Sequence, residues 1–164
     1  MSIGKTYERD LLHSLRSYGH WAQRFTDRVY GQGNRSVMSP PDIIATSVRQ
    51  SGRSILIECK AVKGKSIPLS RLTPEQSDEL MAHRRHGGVS LVAVMFYEGS
   101  RAQKRSAFLI PIHAWMDYGK HYGRKSVSLN HLSEIGGWCE AKGVTRSHWI
   151  GRNKDKGPWS LPHI

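Results

Sequence analysis

The sequence predicts an α/β fold, a mixed β-sheet flanked by helices, and three observations carry that expectation. Residues 5–18 place Leu11, Leu12, Leu15 and Tyr18 at helical spacing. Two β-rich runs, 42–48 and 54–62, flank the turn Gln50-Ser51-Gly52-Arg53, as in an antiparallel hairpin. A helix start at 73–76 then precedes an almost continuously apolar run at 89–97, the pattern of a strand covered on both faces.

Element by element, the first helix stops at Gly19. Residues 25–39, rich in Gly, Ser, Asn and Arg, read as a flexible loop, and Pro40-Pro41 breaks the chain before the first strand. Thr73-Pro74-Glu75-Gln76 offers an N-cap, a proline at the first helical position and a glutamine at the third. The helix should run to about His86 and end at Gly87-Gly88. After the strand at 89–97, residues 98–105 read as a turn, 106–112 as a strand and 113–118 as a short helix. The remainder, dotted with glycine, reads as irregular or weakly helical, ending in a basic aromatic tail at 143–164.

Composition sets the chemistry. The chain has 164 residues, a length for a single domain, with 25 Lys and Arg against 13 Asp and Glu, a net charge of +12. The cations are spread along the whole chain, which favours a folded basic face over a disordered arm. Nucleic acid is the partner such a surface fits best; an acidic membrane or protein surface and a plain solubility charge are the alternatives. No apolar run approaches the ~20 residues of a membrane helix, and residues 1–6 carry no apolar signal region. Cys59 and Cys139 are the only cysteines, which points to a reduced setting, and no membrane association and a cytoplasmic location are expected.

The most informative stretch joins Pro41-Asp42-Ile43-Ile44 to Ile57-Glu58-Cys59-Lys60. Strand alternation puts Ile55, Ile57, Cys59 and Ala61 on one face and Leu56, Glu58 and Lys60 on the other. A carboxylate and an ammonium inside an apolar strand carry a desolvation cost, so such a pair has a partner or a task. Asp42 opens the neighbouring strand, close enough to share a site with Glu58. Two carboxylates suit Mg²⁺, which takes oxygen ligands, and the backbone carbonyl of Cys59 would add one. The ion would polarise a scissile phosphate, with Lys60 orienting water or offsetting transition-state charge. The plain alternative is a cross-strand salt bridge.

Two further residues read both ways. Glu8 lies on the apolar stripe of the first helix, as a third metal or water ligand or as an acid complementing the helix dipole. Gln76 completes a capping box with Thr73, or holds water or phosphate at the site. Lys63, Lys65, Arg84 and Arg85 read as phosphate contacts or as solvated charge. His83 and His86 read as a solvated helix face, with zinc the alternative. Trp138, Trp149 and Trp159, interleaved with Lys and Arg, would stack on exposed bases or pack the tail onto the core.

Taken together these pieces resemble the Holliday-junction resolvases of the RecU and archaeal Hjc kind, within the PD-(D/E)XK nuclease superfamily. The matching pieces are Glu8-Arg9-Asp10-Leu11-Leu12, Pro41-Asp42-Ile43-Ile44, Ile57-Glu58-Cys59-Lys60-Ala61 and Ile67-Pro68-Leu69-Ser70. They continue with Glu75-Gln76, His86-Gly87-Gly88-Val89 and Gly123-Arg124-Lys125-Ser126-Val127. The resemblance covers about residues 5–132. It implies a restriction-endonuclease-like core and a homodimer that binds branched DNA, the four-way junction, and cuts symmetric strands with Mg²⁺, for which Mn²⁺ can substitute. It places the acidic metal ligands on Asp42 and Glu58, with Glu8 as the helix acid, the motif lysine on Lys60 and the family glutamine on Gln76. Arg9 and Arg24 fall where such enzymes use arginine on DNA phosphate, and Ser39 stands for the Ser or Thr that relatives carry before the motif Asp.

The expectation is thus a structure-selective DNA endonuclease of bacterial, archaeal or phage origin. Its alternatives are a nuclease of the same superfamily acting on restriction or phage DNA, and a non-catalytic basic DNA-binding module.

Overall fold

The computed structural model describes residues 2–25, 40–99, 104–149 and 158–161. Helix α1 (Ile3–Ser17) starts where the Ser2 hydroxyl accepts from the Lys5 N–H. Strand β1 (Trp21–Arg24) follows, then β2 (Ile43–Thr46) and β3 (Ser54–Lys63). Strand β4 (Ser66–Pro68) and a 3-10 turn (Leu69–Arg71) lead into α2 (Pro74–Arg85). Then come β5 (Val89–Glu98), β6 (Lys104–Pro111) and α3 (Ile112–Tyr122). The described chain closes with β7 (Ser126–Ser128), α4 (Leu129–Glu134), α5 (Gly136–Lys142) and β8 (Thr145–Ser147).

Six strands form one mixed sheet in the order β1-β2-β3-β5-β6-β8, and β4 pairs with β7 in a separate ribbon. Only β3 and β5 run parallel, which requires the crossover through α2; the other pairs are antiparallel. Helices cover both faces. On one, Tyr7, Leu11 and Leu15 of α1 bury Ile43, Ile55, Ile57, Ala93, Met95 and Leu109. On the other, Leu80, Ile112, Trp115 and Tyr118 pack on Leu56, Val92, Val94, Phe96, Phe108 and Ile110. Both faces of β3 are therefore core at its N-terminal half, and the Glu58 face is the α2 side.

The predicted α/β class, the hairpin and the helix begun by Thr73 all form. The C-terminal third is more ordered than its glycines suggested: α3 runs to Tyr122, and β7, α4, α5 and β8 occupy the stretch read as irregular. Gly123 and Gly143 end α3 and α5 at φ 61° and 72°, so these glycines punctuate helices rather than dissolve them. The described part of the tail folds back on the core. The Trp159 N–H donates to Ser14 Oγ at 3.0 Å, and its fully buried ring meets Tyr7 and Trp149 edge-on. Trp138 packs against Tyr118 and Tyr122. The packing alternative for Trp138 and Trp159 thus holds. The predicted loop at 25–39 lies outside the described residues beyond Phe25.

His83 is not on a solvated face. Its ring is pinned between the Ser90 and Ser54 hydroxyls at 2.7 and 2.9 Å, tying α2 to β5 and β3. His86, by contrast, turns back onto the Ala82 carbonyl of its own helix. Gly88 passes so close to His83 that a Cβ there would stand 2.1 Å from the ring. Gly88→Ala should therefore destabilise the fold by about 1–3 kcal/mol, read as a lowered urea midpoint. The combination with His83→Ala should cost less than the two single changes added together, because the second removes the ring that the methyl strikes.

Candidate active site

The site is built where β2 begins. The register Ile43↔Ile57 and Ile44↔Leu56, extended by one residue, sets Asp42 against Glu58. Opposed residues share a face, with Cα atoms about 4.5–5.5 Å apart. Beyond this point β3 runs on to Lys63 without a β2 partner. The gap admits side chains from both sides of the sheet, so Glu8 of α1 approaches the same space from the opposite layer.

Each acid is held by a donor. The Cys59 N–H donates to Asp42 Oδ2 at 2.7 Å, so the main chain of Cys59 lines the site while its thiol packs on the α1 face. Glu58 is 4% exposed, and its Oε1 accepts from Lys60 Nζ at 2.7 Å and from Gln76 Nε2 at 2.6 Å. Lys60 Nζ also donates to Gln76 Oε1 at 3.1 Å. Glu8 Oε2 lies 2.9 Å from Arg24 Nε.

Gln76 makes the predicted capping box and also reaches the Glu58–Lys60 pair. Its backbone N–H donates to Thr73 Oγ1 at 3.3 Å, and its Oε1 accepts from the Thr73 N–H at 3.1 Å, a complete capping box. The same amide spans Glu58 and Lys60. The helix cap thus fixes the third member of the Glu58–Lys60 pair.

The acids feel one another. Burial, then the charge of Asp42, pushes the Glu58 carboxyl above its ordinary range, against the lowering effect of Lys60. Burial and Asp42 likewise push Glu8 up, against Arg24 and Lys5. Burial and the surrounding Asp42, Glu8 and Glu58 charges push the Cys59 thiol far up, so it is no nucleophile. Among the described residues no three His, Cys, Asp or Glu side chains are gathered as a ready-made cage, and Arg24, Lys60, Gln76 and the Cys59 N–H occupy the carboxylates.

The remaining predicted residues divide. Arg9, half exposed, pairs with Asp10 at 3.6 Å, one residue along α1 from Glu8. Lys63 and Lys65 are exposed at the C-terminal end of β3, the same end as the acids. Arg84 and Arg85 lie at the far end of α2, eight and nine residues from Gln76 or about 12–13 Å of helix, and are not brought to the site. Ser39 lies outside the described residues. The ion pair of Arg24 with Glu8 was not foreseen, because β1 is four residues long with one buried side chain, too brief an alternation to read as a strand.

Two acids on neighbouring strands of a mixed sheet, with a lysine two residues after the second, are thus gathered at one place in a basic protein. Comparison with known proteins is specific: the family described as archaeal Holliday junction resolvase (Hjc) matches residues 1–113. The chain belongs to that family and is an endodeoxyribonuclease, a Holliday junction resolvase. Among solved structures it is similar to Hjc from Archaeoglobus fulgidus, a Holliday junction resolvase from an archaeal hyperthermophile. The two are 25% identical, the similarity covers 67% of this chain and 78% of that one, and the TM-score is 0.48. No curated protein matches. No described helix is long and apolar enough to cross a membrane.

The raised Glu58 carboxyl has a measurable consequence. A carboxyl whose folded pKa exceeds its unfolded value stabilises the fold fully below the unfolded value and loses that contribution as pH rises through the folded one. In chelator, the Glu58 contribution to unfolding free energy should therefore fall as pH climbs above its ordinary 4.5. Subtracting the profile of Glu58→Gln should isolate that falling limb; a difference profile that is flat or rises would contradict the geometry.

Proposed function

We propose that the chain is a divalent-metal-dependent, structure-selective endonuclease that resolves four-way DNA junctions by paired phosphodiester hydrolysis. It acts as a homodimer, because two cuts in one junction need two sites, and its setting is DNA recombination and repair in the cytoplasm. The observation that supports this reading best is Asp42 bonded to the Cys59 N–H beside Glu58, with Lys60 and Gln76 bonded to that glutamate.

The residues fit Mg²⁺, with Mn²⁺ as a substitute. The donors are oxygens, as a hard cation requires, and the upward push that Asp42 exerts on both glutamates is a repulsion that a cation would relieve. Asp42 and Glu58 would hold the ion, with Glu8 and the Cys59 carbonyl completing the protein's share. Once bound, the ion supplies charge stabilisation at the scissile phosphate and acidity to the attacking water.

The chain does the rest. Lys60, held between Glu58 and Gln76, keeps an ammonium beside the reacting phosphate to offset the charge that develops there. Gln76, fixed by its cap, is a positioning residue for that ammonium. Arg9, Arg24, Lys63 and Lys65 extend the cationic track along the same end of the sheet, with Ser39 leading into Asp42. Arg84 and Arg85 meet DNA only through a second arm on the far side.

The test is a synthetic four-way junction with Mg²⁺. Paired symmetric nicks are expected. Asp42→Asn should keep junction binding and lose cutting by at least about 100-fold, since an ion's charge stabilisation is worth several kcal/mol. Equal cutting of linear duplex would move the substrate to other DNA, and binding with no cutting would reduce the protein to a DNA-binding module. Gln76→Ala should lower both stability and the cutting rate, because it removes the donor to Glu58 together with the cap; a loss of stability with the cutting rate per folded molecule unchanged would assign Gln76 to the cap alone.

A further inference from the structure

The C-terminal end of the parallel pair β3–β5 opens into a cavity of about 560 Å³, of which the catalytic reading uses Lys65 alone. Lys65, Lys104, Arg105, Arg146 and His148 line it against one acid, Glu98. The Gly64 N–H donates to the Tyr97 carbonyl at 2.8 Å, locking the two strand ends that form its floor. We propose that this cavity is a second phosphate-binding site, seating the backbone of the DNA arm that leaves the catalytic cleft. The inference rests on the reading above in needing DNA as its ligand, not in needing the cut.

Three observations carry it. The first is charge, four Lys or Arg around one carboxylate, in a concave setting that focuses field onto an anion. The second is preparation. The Arg105 guanidinium lies 4.2 Å above the Trp149 ring and 3.8 Å from Asp10 Oδ2. Trp149 is in turn braced edge-on by the fully buried Trp159. A guanidinium fixed in this way gives up little rotamer freedom when it meets phosphate. Arg146 is steered by the Ser106 hydroxyl at 3.4 Å and by the Phe108 ring.

The third is position. Lys60 and Gly64 are four strand residues apart, about 13 Å, which is about four nucleotides of rise along one DNA strand. A strand cut beside Lys60 and running parallel to β3 brings a phosphate to the cavity mouth. The cavity's outer wall comes from β8, paired to β6 through Phe108↔Arg146 and Ala107↔Ser147. Arg146, His148 and Trp149 lie beyond residue 113, where the family match ends. The second site is thus made by joining the family region to this chain's own C-terminal part. Trp149, one of the tryptophans suspected of base stacking, serves instead as the seat of an arginine.

The test uses the full-length Asp42→Asn protein, in which binding is read without cutting. Lys104 and Arg146 are exposed, so their alanine variants should fold. Each should weaken junction binding several-fold at moderate salt and reduce the slope of log affinity against log salt by about 1. Lys120→Ala, on α3 outside the cavity, should leave the slope at its starting value. Shortening the arm to fewer than about four base pairs beyond the cut should erase the difference between variant and parent. Unchanged slopes in both cavity variants, or differences that persist on the shortened arm, would overturn the proposal. So would inorganic phosphate displacing DNA from the parent as well as a competing oligonucleotide does, since it would make the cavity a small-anion site. A protein that cuts no junction but shows the predicted slopes would sink the nuclease reading and leave this one standing.

Discussion

The carboxylate of Glu58 is the constraint around which the rest is arranged. It is almost wholly buried in a strand whose neighbours are Leu56 and Val92, and an isolated ionised group there would carry a large solvation penalty. Lys60 and Gln76 offset that penalty with two short bonds to a single oxygen, Oε1. Removing either partner from such a buried pair leaves the other uncompensated, an effect of about 3–5 kcal/mol in comparable pairs. The pair therefore fixes where α2 must begin, because Gln76 reaches Glu58 only while Thr73 caps the helix. It also fixes the length of the hairpin, because Asp42 stands opposite Glu58 only in this register.

This explains why the core of the site was legible in the sequence. Alternation along 54–62 decides which face Glu58 and Lys60 share, and a one-residue slip would have sent both into the α1 layer. The Thr-Pro-Glu-Gln start is a local signal with a local cause, and it is formed as read. What the sequence concealed is relational. Glu8 shows that it belongs to the inner stripe of α1, but not that β2 begins late enough, after Asp42, for it to approach the other layer. Arg84 and Arg85 look like Lys63 and Lys65 as a string, yet helix rise carries them to the opposite end of α2.

The same distinction governs the fold. Strands β3 and β5 are long and apolar, and their periodicity is unambiguous. Strands β7 and β8 are three residues each and stand only through their pairing with β4 and β6. No propensity marks Ser126–Ser128 as a strand; the Leu69 N–H bond to the Lys125 carbonyl and the Leu129 N–H bond to the Lys65 carbonyl do. Short strands of this kind are tertiary structure in origin, and single-sequence periodicity cannot reach them.

The tail illustrates how packing redirects chemistry. Aromatic residues among cations in a sequence suggest a surface for stacking bases. Here Trp159 is drawn inside by Tyr7 and by a backbone bond to Ser14 of α1, which leaves Trp149 partly open beside it. Arg105 covers Trp149, held on its other flank by Asp10 of the same helix. One helix thus contributes Glu8 to the acid cluster and Asp10, two residues on, to the anchoring of Arg105 at the cavity. A displacement of α1 would move both together. The rigidity that buries Tyr7, Leu11 and Leu15 against the sheet is what keeps the acidic centre and the basic end of the molecule in fixed register with one another.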